Sequence, residues 1–310
     1  MLYRKLGNTG LEVPVMGLGC AALGGSYGPV TEEHAARTIY KAFDLGIHYL
    51  DTAPLYGQTR SETNVGKALK GVPRDRYYIE SKVGRYDYAD HDFSYQRVKQ
   101  GLEATLGRLG SEYLDIVILH DIEYVPIEQV VNEGLRAVHD ARTEGKVRFI
   151  GASGLPLAIF PAILSQANLD IVLSYANYTL QNTALEELLP GFASKGLGVV
   201  NASPLALGLL TRKGPQPWHL GSDLLKAKCR EAAEWCAARG VDIADLGMQF
   251  AMANPRIHST LTGAGSPEEV ERNAACVGRA PDPEMVAAVQ AILAPVRNLL
   301  WPTGRPEYNR

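Results

Sequence analysis

Asp51, Tyr56, Lys82 and His120 each stand at or just beyond the end of an apolar, strand-like run, and together they can move a proton through a phenol. A tyrosine hydroxyl has an ordinary pKa of about 10, so acid–base work near neutrality requires a neighbouring cation, an acid that holds that cation, and a proton relay. Lys82, Asp51 and His120 are those three residue types. The run that ends at Asp51 is broken afterwards by Pro54 and Gly57, which puts Tyr56 on a turn past the strand tip. Lys82 lies in an apolar run, where burial lowers an amine's pKa unless an anion such as Asp51 pairs with it. A third apolar run, 113–119, is followed at once by His120 and Asp121. Singly, each residue reads as readily as a structural ion pair, a satisfied histidine or a rim tyrosine. Four of them at equivalent ends of three successive strands point to a site.

Such a site needs a scaffold that brings successive strand ends together. Strand-like runs are predicted at 16–19, 49–51, 77–82, 114–119, 147–152, 171–175, 198–202 and 258–262. Helical periodicity fills the gaps, as in Val98, Leu102, Leu106 and Leu109, which recur at the three- and four-residue spacing of one buried face. Similar helices are predicted at 31–45, 61–69, 127–144, 156–167, 183–195, 223–239 and 267–276. Eight such β–α units predict an α/β fold, a closed (β/α)8 TIM barrel. An N-terminal β-hairpin (3–6 with 11–13) and extra helices at 243–253 and 281–293 complete a single domain over 1–310. The longest break, 203–223, carries Gly208, Gly214, Pro215, Pro217 and Trp218 and reads as a pocket wall on the strand-exit side, where function sits in this architecture.

Composition excludes several classes. With 310 residues, 31 basic against 34 acidic side chains and a formal charge of −3, the chain has no basic stripe for nucleic acid. No run is long and apolar enough for a membrane span, and the N-terminus lacks a signal-peptide core, so the expected address is cytoplasmic. Cys20, Cys229, Cys236 and Cys276 show no paired CxxC spacing and read as reduced thiols, with no metal site. A monomer or small homo-oligomer is expected.

Three motifs, LEVPVMGLG at 11–19, DTAPLYG at 51–57 and GKVRFIG at 145–151, resemble those of the aldo-keto reductases, and the likeness runs along essentially the whole chain. That resemblance implies that Tyr56 is the general acid or base, that Lys82, paired with Asp51, lowers its pKa, and that His120 orients the substrate oxygen or relays protons. Hydride transfer between a nicotinamide and a carbon must accompany proton transfer at that carbon's oxygen, which is what a phenol aimed at the oxygen supplies. No GxGxxG follows the first strand, against a Rossmann dehydrogenase. The resemblance further implies cofactor contacts from Ser153, Ser174, Ser203, Leu205, Gly208, Gly263, Gly265, Ser266, Glu269 and Asn273. The chain departs from the family where Gly154 replaces an Asn, Ser174 stands where Gln is common, and Ala202 replaces a Tyr that stacks on the nicotinamide. Glu269 falls where relatives preferring NADP often have Arg; a carboxylate there repels a 2′-phosphate and favours NAD, with NADP possible. Glu269 also fits a capping box opened by Ser266.

The stretches SKVGRY (81–86), HDIE (120–123), ASPLALGLL (202–210) and GPQPWH (214–219) resemble the family's aldose 1-dehydrogenases. This implies NAD-dependent oxidation of a small sugar, L-galactose first, at the anomeric carbon to its lactone. L-Fucose, D-threo-aldoses, or a broad NADPH-dependent reduction of carbonyls and aldehydes are the alternatives. A sugar pocket wants aromatic faces and a few polar hooks, for which Tyr86, Asp121, Trp218, His219 and Trp301 are the candidates.

Overall fold

The structure, a computed structural model, describes residues 1–309. Eight parallel strands close on themselves: β3 (Met16–Gly19), β4 (Tyr49–Asp51), β5 (Tyr78–Val83), β6 (Leu114–Leu119), β7 (Val147–Gly154), β8 (Ile171–Tyr175), β9 (Gly198–Ala202) and β10 (Ser259–Gly263), with β10 joined to both β9 and β3. The (β/α)8 TIM barrel expected from the alternation is therefore the fold. Ahead of it, β1 (Tyr3–Lys5) and β2 (Glu12–Pro14) form an antiparallel hairpin that floors the barrel. Leu6, Leu11 and Val13 from this hairpin join Tyr49, Ile116, Ile118, Ile171, Leu173, Val200 and Leu261 in one interior cluster. Gly7 permits the approach, because a Cβ there would stand 2.3 Å from the Gly198 nitrogen.

The outer ring comprises α1 (Glu32–Asp44), α2 (Arg60–Leu69), α3 (Tyr95–Leu109), α4 (Ile127–Gln129), α5 (Leu135–Thr143), α6 (Ile159–Leu164), α7 (Leu189–Ser194), α8 (Asp223–Ala237), α9 (Ile243–Ala253), α10 (Pro267–Ala274) and α11 (Pro283–Leu293). Helix starts follow capping chemistry: Thr31, Ser222, Asp242, Ser266 and Asp282 accept backbone N–H bonds at the heads of α1, α8, α9, α10 and α11. On α3 the predicted face is buried as Val98, Leu102, Leu106 and Leu109, each contributing about 1.5–3 kcal/mol of apolar burial.

Three predicted helices come out broken. The stretch 127–144 is α4, then a π-helical turn Val130–Gly134, then α5, with the backbone at Gly134 packed on Phe93. The stretch 183–195 is a 3-10 turn, Ala184–Glu187, followed by α7, which begins afresh around Pro190, a residue with no N–H to continue the earlier turn. The stretch 156–167 keeps helical geometry only in α6. Strand limits shift by a residue at β5 and β10, and β7 runs two residues beyond the predicted end, so Ser153 and Gly154 belong to the barrel wall.

The register places the chemistry. Tyr49 lies opposite Tyr78, and Asp51 opposite Glu80, between β4 and β5. Alternation along a strand then sends Tyr49, Asp51, Glu80 and Lys82 to the same interior face.

Candidate active site

Lys82, fully buried, donates to the Asp51 carboxylate and to the Thr52 carbonyl at 2.9 Å. Its Nζ also lies 4.9 Å from the centre of the Tyr56 ring. Burial alone would strip the ammonium of its proton, but Asp51, then Tyr56 and Glu80, hold its pKa above the ordinary value, so the cation persists. Burial and then the Asp51 charge push the Tyr56 phenol above its usual pKa, while Lys82 pulls it down through its charge and a hydrogen bond. The turn carrying Tyr56 is fixed by close backbone contact: at Gly57, with φ +60°, a Cβ would meet the Gly24 oxygen at 1.9 Å.

His120 meets Tyr56 edge to face, with ring centres 6.0 Å apart. Its backbone N–H donates to Val83 at 2.9 Å, continuing the ladder between β5 and β6 past their ends. Burial lowers its pKa to about 3, so at neutral pH the imidazole is uncharged and can give or accept one hydrogen bond on each nitrogen. The predicted four residues are thus brought together at the strand exits.

Asp121 follows in a left-handed conformation, φ +50°. Its carboxylate accepts from the Arg85 guanidinium and from Ser153 Oγ at 3.1 Å, and Ser153 Oγ in turn accepts the Asp121 N–H at 2.9 Å. Nε2 of His120 lies 3.7 Å from the same carboxylate. Asp121 therefore stands beside the site with each oxygen held by one donor and a further lone pair left on each.

A cavity of about 530 Å³ opens on the exits of β9, β10 and β3. Of the residues expected to contact a cofactor, Ser203, Leu205, Gly208, Gly263, Gly265, Glu269 and Asn273 line it. Three predicted cofactor contacts lie outside its lining: Ser153 is tied to Asp121, Ser174 accepts from Asn177 at 2.9 Å, and Ser266 caps α10. The Glu269 N–H donates to Ser266 Oγ, the N-cap half of the expected capping box, but Glu269 Oε2 accepts the N–H of Gly265 at 2.7 Å rather than that of Ser266, and the residue lines the cavity. The lining fits a dinucleotide. It has open backbone at Gly263, where a Cβ would meet nothing within 4 Å, the head of a helix, and a buried Thr262 hydroxyl that has no hydrogen-bond partner among the described residues.

Of the substrate candidates, Asp121 stands beside His120, and Trp218, 49% exposed, meets edge-on Tyr27, a residue of the cavity lining. The structure corrects two others. Tyr86 turns onto α3, where its hydroxyl donates to the Arg97 carbonyl at 3.1 Å, its ring carries the Arg97 guanidinium and it fills the space over Gly101. His219 has both ring nitrogens occupied by backbone, Nδ1 accepting from Gly221 and Nε2 facing the Ala206 carbonyl at 3.2 Å, so it builds its loop. Trp301 packs edge-on against His219 at 4.5 Å and is buried. It is held there by a tail in which Thr303 Oγ1 and the Arg305 N–H donate to Glu123.

Several residues escaped the sequence reading. Arg85 brings a cation and Glu123 a buried carboxyl into the site's surroundings, Tyr27, Arg212, Lys213 and Arg272 line the cavity, and Glu80 lies beneath Lys82. Only Glu80 had a plain signal, its two-residue offset from Lys82 on one strand. Among the described residues no cluster of His, Cys, Asp or Glu is placed to hold a metal, and no helix is long and apolar enough to cross a membrane. All four cysteines are buried and free.

Comparison with known proteins agrees with this geometry. The model of the Aldo/keto reductase family matches residues 15–294. L-galactose dehydrogenase of Arabidopsis thaliana is 44% identical over 310 residues, covering 97% of both chains. D-threo-aldose 1-dehydrogenase of Pseudomonas sp. is 27% identical over 294 residues, covering 86% of this chain and 89% of its own. Among solved structures, an aldo-keto reductase of Bacillus halodurans in its holo form superposes with a TM-score of 0.79 at 28% identity, over 100% of both chains.

Proposed function

The chain belongs to the aldo/keto reductase family and is an NAD(P)-dependent oxidoreductase of small molecules; from that premise we propose that it oxidises an aldose, L-galactose first, at the anomeric carbon to give the lactone, with NAD as acceptor. The observation that carries the reading is the buried Lys82 ammonium set against the Tyr56 ring at the barrel's exit face. The end-to-end likeness to L-galactose dehydrogenase supports the substrate class.

In this reading Tyr56 is the base that takes the anomeric hydroxyl proton. Lys82 stabilises the phenolate, and Asp51 keeps the ammonium charged and aimed. Neutral His120 hydrogen-bonds the same substrate oxygen, a role open to it because the imidazole carries no charge to compete with Lys82. Asp121, locked by Arg85 and Ser153, is the fixed acceptor for a neighbouring sugar hydroxyl. Bound nicotinamide supplies the hydride acceptor. Substrate, NAD+ and enzyme base balance as lactone, NADH and one proton.

Glu269, facing the cavity with its second oxygen uncommitted, favours a free ribose over a 2′-phosphate. Arg212, Lys213 and Arg272 on the same cavity favour NADPH as the second reading. Initial rates with a panel of free aldoses, each with NAD and with NADP, test the proposal. NADH formation with L-galactose is expected; reduction of an aromatic aldehyde by NADPH with every aldose inert would overturn it.

A further inference from the structure

Glu80 is a buried carboxyl that the roles assigned above do not use. It has no exposed surface and points into the barrel one layer below Lys82. Tyr49 donates to its Oε2 at 2.5 Å. The other oxygen, Oε1, lies 3.9 Å from Lys82 Nζ, beyond hydrogen-bond range, and finds no donor among the described residues. Its register partner on β4 is Asp51, itself an acceptor, and the two carboxyl groups share the Lys82 ammonium. Two carboxylates facing each other without a proton would repel, and a buried acceptor left without a donor costs about 1–3 kcal/mol. Both difficulties vanish if Oε1 is a donor.

We propose that Glu80 is a neutral carboxylic acid that donates from Oε1 to Asp51 and thereby serves as a positioning residue for Lys82. The proton shared with Asp51 withdraws negative charge from the carboxylate that faces the ammonium. Lys82 then projects more of its charge onto the Tyr56 phenol, lowering the pKa of the base. The surrounding groups agree with this protonation state. From β4 the facing polar groups are Tyr49, which donates, and Asp51, which is anionic; from β5 there is Lys82; from β6 the residue in register is the apolar Ile116. Burial first, then Asp51, hold the Glu80 carboxyl well above the usual carboxylate range. The inference rests on Tyr56 being the proton carrier, but not on which sugar is oxidised.

The test joins infrared spectroscopy to kinetics. The wild-type protein at neutral pH is expected to give a protonated-carboxyl C=O band that disappears in Glu80→Gln; its absence overturns the proposal whether or not any aldose turns over. For kinetics, the pH profile of kcat is measured with L-galactose, or with any substrate that turns over. Glu80→Leu removes the donor, so the limb that reports the base is expected to move up by about one pH unit, with kcat on that limb down about tenfold and cofactor affinity by fluorescence titration unchanged. Glu80→Gln keeps a neutral donor to Asp51 and an acceptor for Tyr49, and is expected to restore the limb and hold kcat within about threefold. A limb unmoved in Glu80→Leu, or displaced in Glu80→Gln, overturns the proposal. Should Glu80→Leu fail to fold, the band and the Gln profile still decide it.

Discussion

The two halves of the barrel interior are built on opposite principles. From β6 round to β10 the inward residues are Ile116, Ile118, Ile171, Leu173, Val200 and Leu261, an apolar set that fills the core by packing alone. On β4 and β5 they are Tyr49, Asp51, Glu80 and Lys82, which are linked to one another by hydrogen bonds and charge, Tyr49 also packing its ring on the apolar set. The apolar half stabilises any closed barrel of this size. The polar half costs desolvation and is tolerated only because each charge has a partner. That asymmetry separates the strands that hold the barrel together from those that hold the proton carrier.

The comparison breaks most completely at its polar centre. Tyr56→Phe keeps the ring and removes the only proposed proton carrier, so kcat should fall by roughly 10²–10⁴-fold with cofactor titration unchanged. Rates near wild type would reassign the base. Lys82→Met should lose comparable turnover and also leave Asp51 buried without its cation, destabilising the fold by about 3–5 kcal/mol in urea unfolding. Leu173→Ala, on the apolar side, should destabilise by about 2–5 kcal/mol while kcat per folded molecule stays near wild type. If Leu173→Ala also shifts the kcat pH profile, the two halves are not separable.

Acid and base act on the two halves differently as well. Burial, then the Asp121 charge, raise the Glu123 carboxyl to about 8, and Glu80 is raised too. For a group whose folded pKa lies above its unfolded one, stability is full below the unfolded value, near 4.5, and declines as pH rises toward the folded value. Each such carboxyl should therefore cost up to about 1.4 kcal/mol of stability per pH unit across that window. Glu123→Gln should flatten the dependence between pH 5 and 8 in denaturant titrations; an unchanged slope would mean that Glu123 is ionised in the folded protein.

The sequence exposed these features unevenly, for physical reasons. Asp51, Lys82 and His120 were legible because a polar residue closing an apolar strand is rare and its position in a barrel is fixed by register. Glu80 lay two residues from Lys82 in the same run, yet a single acid in a strand reads equally well as facing outward until the alternation is anchored. Tyr86 and His219 could not be placed because they sit on loops, where the partner that captures a side chain, the Arg97 carbonyl or the Ala206 carbonyl, is set by backbone path rather than periodicity. The helix breaks at Val130–Gly134 and near Pro190 have a similar origin, a long apolar pattern masking a local change of turn.

The smallest effect expected lies at the edge of the cavity, where one carboxylate has two jobs. Glu269 accepts the Gly265 N–H just ahead of the Ser266 cap and so steadies the entry to α10, and it faces the cavity proposed to take the cofactor. Glu269→Gln keeps an acceptor for Gly265 but removes the charge, while Glu269→Arg removes both and adds a cation beside Arg272. If the charge selects the cofactor, the ratio of kcat/KM for NAD over NADP should fall about tenfold in the Gln variant, about 1.4 kcal/mol, and further in the Arg variant. If Glu269 serves only the helix, Gln should leave that ratio untouched and Arg should lower thermal stability without changing it. The Gln variant therefore carries the decision, because it separates charge from cap at the one residue where they coincide.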